Sequence, residues 1–135
     1  MLYLTRKEHF NAAHRLFNPA WSEEKNEEVF GKCSNKYYHG HNYDLFVTVK
    51  GEPAADTGLI VNAKELSAII RRTVVDKLDH KNLNLEIAFL KGIIPSTENL
   101  ARAIWQELEQ EITGCRLHCV KLLETENIFA EYYGE

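Results

Sequence analysis

The sequence predicts an α+β fold of order ββααββ, with a four-stranded antiparallel sheet carrying two helices on one face. Three observations lead there. Residues 2–14 and 42–50 have strand character, two stretches beginning near Asn62 and Pro95 place apolar residues at helical spacing, and residues 117–133 return to strand character around one polar turn. The chain has 135 residues, enough for one domain spanning residues 1–135 with a single core.

Taken in order, residues 2–14 begin with rough alternation and are rich in strand-forming types. Residues 42–50, Asn-Tyr-Asp-Leu-Phe-Val-Thr-Val-Lys, alternate more clearly before Gly51-Glu52-Pro53, and the two stretches are expected to pair. The connection between them, from Asn18-Pro19 through a polar stretch to Gly31, is a long excursion, and long loops are often functional. Its acidic residues Glu23, Glu24, Glu27 and Glu28 read as a solvated loop or short helix without a functional role.

The first main helix is expected from Asn62, a suitable N-cap with Glu65 three residues on, and Leu66, Ile69, Ile70, Val74 and Leu78 trace its apolar face. The second is expected after Pro95, capped by Ser96 or Thr97, with Leu100, Ala103, Ile104, Leu108 and Ile112 on one stripe and Gly114 as its stop. Two strands then follow, Leu117 to Leu123 and Ile128 to Tyr133, joined by Thr125-Glu126-Asn127. A four-stranded sheet leaves its edges open, and open edges invite pairing with other subunits.

Composition excludes several classes of function. With 44% hydrophobic and 27% charged residues, and no apolar run of membrane-spanning length, the chain is expected to be soluble rather than membrane-bound. The segment Met1 to Glu8 has neither an apolar core nor a small-residue cleavage site, which predicts no secretory signal and a cytoplasmic location. Three cysteines in a reducing compartment are expected to stay free of disulfides. The net charge of -4 argues against nucleic acid as a partner, because phosphate-backbone binding relies on clustered Lys and Arg.

The chemistry gathers in Cys33-Ser34-Asn35-Lys36-Tyr37-Tyr38-His39-Gly40-His41. On an extended strand His39 and His41 point the same way and can chelate one metal, while Gly40 lets the backbone come close. His14, in Phe10-Asn11-Ala12-Ala13-His14-Arg15, ends the partner strand beside two small alanines and offers a third imidazole. Three histidines with a vacant position suit Zn²⁺ acting as a Lewis acid. Cys33 either completes that set or stands beside it as a base or nucleophile. Asp79-His80 directly follows the first helix and can form part of a proton relay, and Glu124 is either a solvated turn residue or a fixed carboxylate gripping two N–H groups of a planar heterocycle. His9, His118, Cys115 and Cys119 read as structural.

These segments resemble the 6-pyruvoyl-tetrahydropterin synthases and the related 6-carboxytetrahydropterin synthases over nearly the whole chain. The resemblance rests on Phe10 to Leu16, Cys33 to Tyr43, Thr57 to Asn62, Leu78-Asp79-His80-Lys81-Asn82-Leu83-Asn84, Ser96-Thr97-Glu98-Asn99 and Glu124-Thr125. It implies the tunnelling fold, in which sheets from three subunits join into a barrel and two trimers stack into a hexamer with active sites between subunits. It further implies zinc on His14, His39 and His41, Cys33 as the proton-abstracting base with Asp79 and His80 as relay partners, Glu124 as the pterin anchor, and pterin contacts from Thr97 and Glu98. The implied reaction converts 7,8-dihydroneopterin triphosphate to 6-pyruvoyl-tetrahydropterin with loss of triphosphate. The five residues between Cys33 and His39 favour the pyruvoyl-forming branch; the carboxy-forming enzyme of 7-deazapurine (queuosine) synthesis is the alternative. A non-enzymatic alternative is a zinc-stabilised pterin-binding or interaction module, with Cys33 closing a Cys-His₃ site.

Overall fold

The computed structural model describes every residue from Met1 to Glu135. Two long strands, β1 (Leu2–His14) and β2 (His39–Gly51), pair antiparallel along their whole length, from Leu2 opposite Gly51 to His14 opposite His39. β4 (Arg116–Thr125) adds to β2 and β5 (Ile128–Tyr132) to β4, both antiparallel. Along these strands the inward residues Phe10, Tyr43, Leu45, Val47, Val120 and Leu122 are at most 1% exposed, while β1's alternate positions Tyr3, Thr5, Lys7 and His9 face outward. The helices cover the inward face with Leu66, Ile70, Val74, Leu100, Ile104 and Leu108, and the two sets form one continuous core. The expected layer arrangement is therefore present.

The sheet has five strands rather than the expected four. The addition is β3 (Lys81–Asn82), which lies parallel to β1 opposite Ala12 and Ala13. Two residues carry no readable alternation. The pairing is set by tertiary contacts, with the His80 amide donating to the Asn11 carbonyl at 2.6 Å and the Leu83 amide to the Ala13 carbonyl at 2.8 Å.

Helix boundaries also moved. The acidic stretch forms a real helix, α1 (Glu23–Phe30), because Ser22 caps it by accepting from the Lys25 amide and Glu23 and Glu24 sit where the helix dipole favours negative charge. The first expected helix is present from its Asn62 cap, as α2 (Ala63–Ile70), a wide π turn (Arg71–Val75) and α3 (Asp76–Leu78) in unbroken succession. The wide turn has a physical cause. Leu66, Ile70, Val74 and Leu78 recur every four residues, and at 3.6 residues per turn such a row drifts by about 40° at each step. One wider turn absorbs the drift, so all four stay fully buried. The last helix, α4 (Thr97–Glu109), starts at its Ser96 cap but stops short of Gly114, and Ile112 still packs against the core from the following turn. No helix is long and apolar enough to cross a membrane.

Candidate metal centre and active site

Antiparallel register brings three imidazoles to one end of the sheet. His14 closes β1 opposite His39, the first residue of β2, and His41 lies two residues further on, opposite Ala12. Their ring centroids are 4.6 to 5.0 Å apart with edge-to-face orientations. One nitrogen from each lies within 4.8 Å of the others, a geometry able to hold a metal ion. Cys33 is outside this group.

The first turn into α4 fixes the ring of His14. Its Nδ1 lies 2.8 Å from the Pro95 carbonyl, and a carbonyl only accepts, so Nδ1 carries the proton and Nε2 presents a lone pair. The Tyr43 hydroxyl stands 3.4 Å from the same Nδ1. His14 is completely buried, and its Nε2, His39 Nδ1 and His41 Nε2 are enclosed without a hydrogen-bond partner. Burial is the main influence holding the His14 imidazolium below its ordinary pKa; the Pro95 hydrogen bond and Glu124 oppose it, while His39 and His41 reinforce it. His39 is lowered likewise, by burial and then by His41, against Glu124. Neutral imidazoles with free lone pairs are what a metal requires.

Glu124, near the end of β4, brings Oε1 to 3.2 Å from His14 Nε2 and 3.4 Å from His41 Nε2. It is a fixed carboxylate in the cluster and not a solvated turn residue. A carboxylate oxygen facing an imidazole lone pair is repulsive unless a cation or a proton lies between them. The donor set thus fits a cation, and orphaned buried nitrogens of this kind call for one.

Gly40 turns out not to be a close-approach glycine. A methyl group there would meet only the Ala12 carbonyl oxygen at 3.7 Å, an ordinary contact. Its position instead keeps the wall of an open groove of about 470 Å³ low, and this groove runs from His41 past Ala13 and Gly40 to His80.

Cys33 sits in a 3₁₀ turn (Gly31–Ser34), exposed and free. Asp79 ends α3 and accepts the Asn11 amide at 2.8 Å, and His80 follows in a left-handed conformation, φ 62°, that folds its Nδ1 back to 3.0 Å from Asp79 Oδ2. The Asn11 hydrogen bond, aided by His80 and His9 against a burial penalty, holds the Asp79 carboxyl below its ordinary pKa. In this polarised pair His80 is exposed and Asp79 partly buried, and within one chain the pair makes no hydrogen bond to Cys33. Thr97 is buried and Glu98 exposed in the first turn of α4, next to the Pro95 carbonyl that holds His14. Pro95 and Asn11 carried no recognisable functional signal in sequence, since each acts through a backbone group, and Tyr43 read only as an inward strand residue although its hydroxyl reaches His14.

The family model for 6-pyruvoyl tetrahydropterin synthase matches residues 3–135. The chain belongs to that family. It is 47% identical over 98% of its length to a Dictyostelium discoideum protein named 6-pyruvoyl tetrahydrobiopterin synthase, of which the match covers 96%, and 38% identical to the Homo sapiens protein of that name, over 98% of this chain and 91% of the other. A Bacillus subtilis 6-carboxy-5,6,7,8-tetrahydropterin synthase matches at 30% identity over 78% of this chain and 64% of its own length. Among solved structures, Caenorhabditis elegans 6-pyruvoyl tetrahydropterin synthase superposes with TM-score 0.94 at 31% identity, covering 99% of this chain and 96% of that one. The Plasmodium vivax enzyme, at TM-score 0.71 and 19% identity over 97% of this chain and 96% of that one, shares the fold. The open α+β sheet of this synthase-family chain is accordingly a tunnelling fold.

Proposed function

We propose that the protein is a zinc-dependent carbon–oxygen lyase converting 7,8-dihydroneopterin triphosphate to 6-pyruvoyl-tetrahydropterin with release of triphosphate. The observation that carries this reading is the separation of roles at the site: three imidazoles share one focus with their lone pairs free, while Cys33 stands exposed outside the set. Zinc held by His14, His39 and His41 would supply a Lewis acid that makes side-chain hydroxyls of the substrate more acidic. Cys33 acts as the base that moves protons between the pterin side chain and ring, and the Asp79-His80 pair relays them. Glu124, with Thr97 and Glu98, provides polar contacts to the pterin. Because Glu124 Oε1 already faces His14 and His41, its carboxylate borders the pterin side chain as well as the ring.

The pair and the thiol meet between subunits in this reading, in a homohexamer of two trimers. Its support is the exposed backbone: β5 is an edge strand, and β3 shields only Ala12 and Ala13 of the outer side of β1.

The full-length match to pyruvoyl-forming relatives, against the partial match to a carboxy-forming one, favours the pyruvoyl product. Mass spectrometry of products from 7,8-dihydroneopterin triphosphate separates the two: a three-carbon pyruvoyl side chain is expected, a carboxyl group means the alternative, and untouched substrate counts against both. Cys33→Ala is expected to retain the metal and the fold while losing turnover. Loss of the metal from that variant would instead support a closed structural Cys-His₃ site.

A further inference from the structure

We infer that Arg15 is a positioning residue for Cys33, an inference that rests on the reading of Cys33 as the base. Four residues of 3₁₀ helix make a weakly self-supported turn, because i to i+3 bonds are poorly aligned and short runs lack cooperativity. Inside the turn that carries Cys33 the Ser34 hydroxyl donates to the Gly31 carbonyl at 2.9 Å and the Asn35 amide to the Lys32 carbonyl at 3.1 Å. A bond from the Gly31 amide to the Glu27 carbonyl ties the start of the turn to α1, and its C-terminal side is held by the two residues following His14. The Leu16 amide donates to the Cys33 carbonyl at 2.7 Å, and Arg15 Nη2 donates to the Ser34 carbonyl at 2.7 Å. Two successive carbonyls on the C-terminal side of the thiol-bearing carbon are thereby held by one dipeptide.

That dipeptide is itself fixed. Asn84 grips the Arg15 backbone from both sides, accepting from its amide at 2.9 Å and donating to its carbonyl at 3.0 Å. The guanidinium lies 3.9 Å from the centre of the Phe17 ring, and Arg15 Nε is enclosed without a partner. An arginine stacked on one face and bonded to a main-chain carbonyl is held in place as a strut. Since Arg15 directly follows His14, the strut spans from a residue of the metal cluster to the thiol, setting the distance between them. Asn84 extends it to the loop that follows Asp79-His80.

The test uses the full-length protein loaded with Zn²⁺ and compares Arg15→Ala, Arg15→Lys and Asn84→Ala with wild type. Readouts are kcat, KM, metal content, and the pH profile of Cys33 alkylation by iodoacetamide, followed by peptide mass spectrometry to separate Cys33 from Cys115 and Cys119. Arg15→Ala is expected to keep one Zn²⁺ per chain, lower kcat by tenfold or more with KM within about twofold, and displace the alkylation profile. Arg15→Lys, which can still donate but not stack in the same way, is expected to recover part of kcat, and Asn84→Ala to repeat the Arg15→Ala pattern more weakly. An unchanged kcat and alkylation profile overturns the inference, as does a loss of kcat that merely follows loss of Zn²⁺. If the alkylation profile moves but wild type itself turns over no pterin, Arg15 still positions the thiol and it is the synthase reading that fails.

Discussion

Glu8 shows how a single buried charge can be settled by its neighbours. It sits at an inward position of β1, 5% exposed, where alternation alone predicts an apolar residue. Burial pushes its carboxyl pKa up, yet hydrogen bonds from Ser67 and Arg6 and the charges of Arg71 and Arg6 outweigh that and hold it below the ordinary value. A glutamate whose folded pKa is lowered contributes stability above the unfolded value near 4.5, and loses that contribution as pH falls through the folded value. Glu8→Gln is therefore expected to cost on the order of 2 kcal/mol at pH 7. The gap between variant and wild type in urea denaturation should close below pH 4.5; a gap constant with pH would mean the cost is packing and not charge. His14, His39 and His41 were legible in sequence because two pleated strands with fixed register make side-chain direction predictable. The Pro95 carbonyl that fixes His14 and the Asn11 amide that holds Asp79 were not, because a backbone group has no residue-type signature.

Elements were legible where the period was long and failed where it was short. β1 emerged with its expected bounds and α2 with its Asn62 cap, whereas β3 has two residues and α1 is defined by caps and charge more than by an apolar stripe. The π turn was hidden in plain spacing, since a four-residue repeat sits between helical periods. It also gives the next prediction. Deleting exposed Arg72 shortens the step from Ile70 to Val74 from four residues to three, and at about 100° per residue a regular α-helix then keeps Leu66, Ile70, Val74 and Leu78 within about 60° of one another. Leu78 is fully buried, so the deletion is expected to remove the wide turn while leaving Leu78 in the core and the Asn11 to Asp79 hydrogen bond in place. Thermal unfolding should change little. A large fall in melting temperature would show that the wide turn does more than absorb the drift of the four-residue repeat.

For the whole molecule, exposed main chain along β5 and most of the outer side of β1 is the feature that composition cannot reveal and topology makes plain. Light scattering is expected to give a mass that is a multiple of three times the 15.6 kDa chain mass; a monomer at micromolar concentration would remove the intersubunit meeting of Cys33 with Asp79-His80. The metal cluster has a second consequence at this scale. His14 and His39 flank the entire excursion that contains α1 and the Cys33 turn, so an ion bound to both closes that excursion into a ring. Such a cross-link restricts the opened chain as a disulfide does, and its removal frees the segment most directly enclosed. Treatment with a chelator should make residues 15–38 the first site of proteolytic nicking while the β2–β4 pair stays protected, which makes susceptibility of this one segment to protease a measure of metal loading.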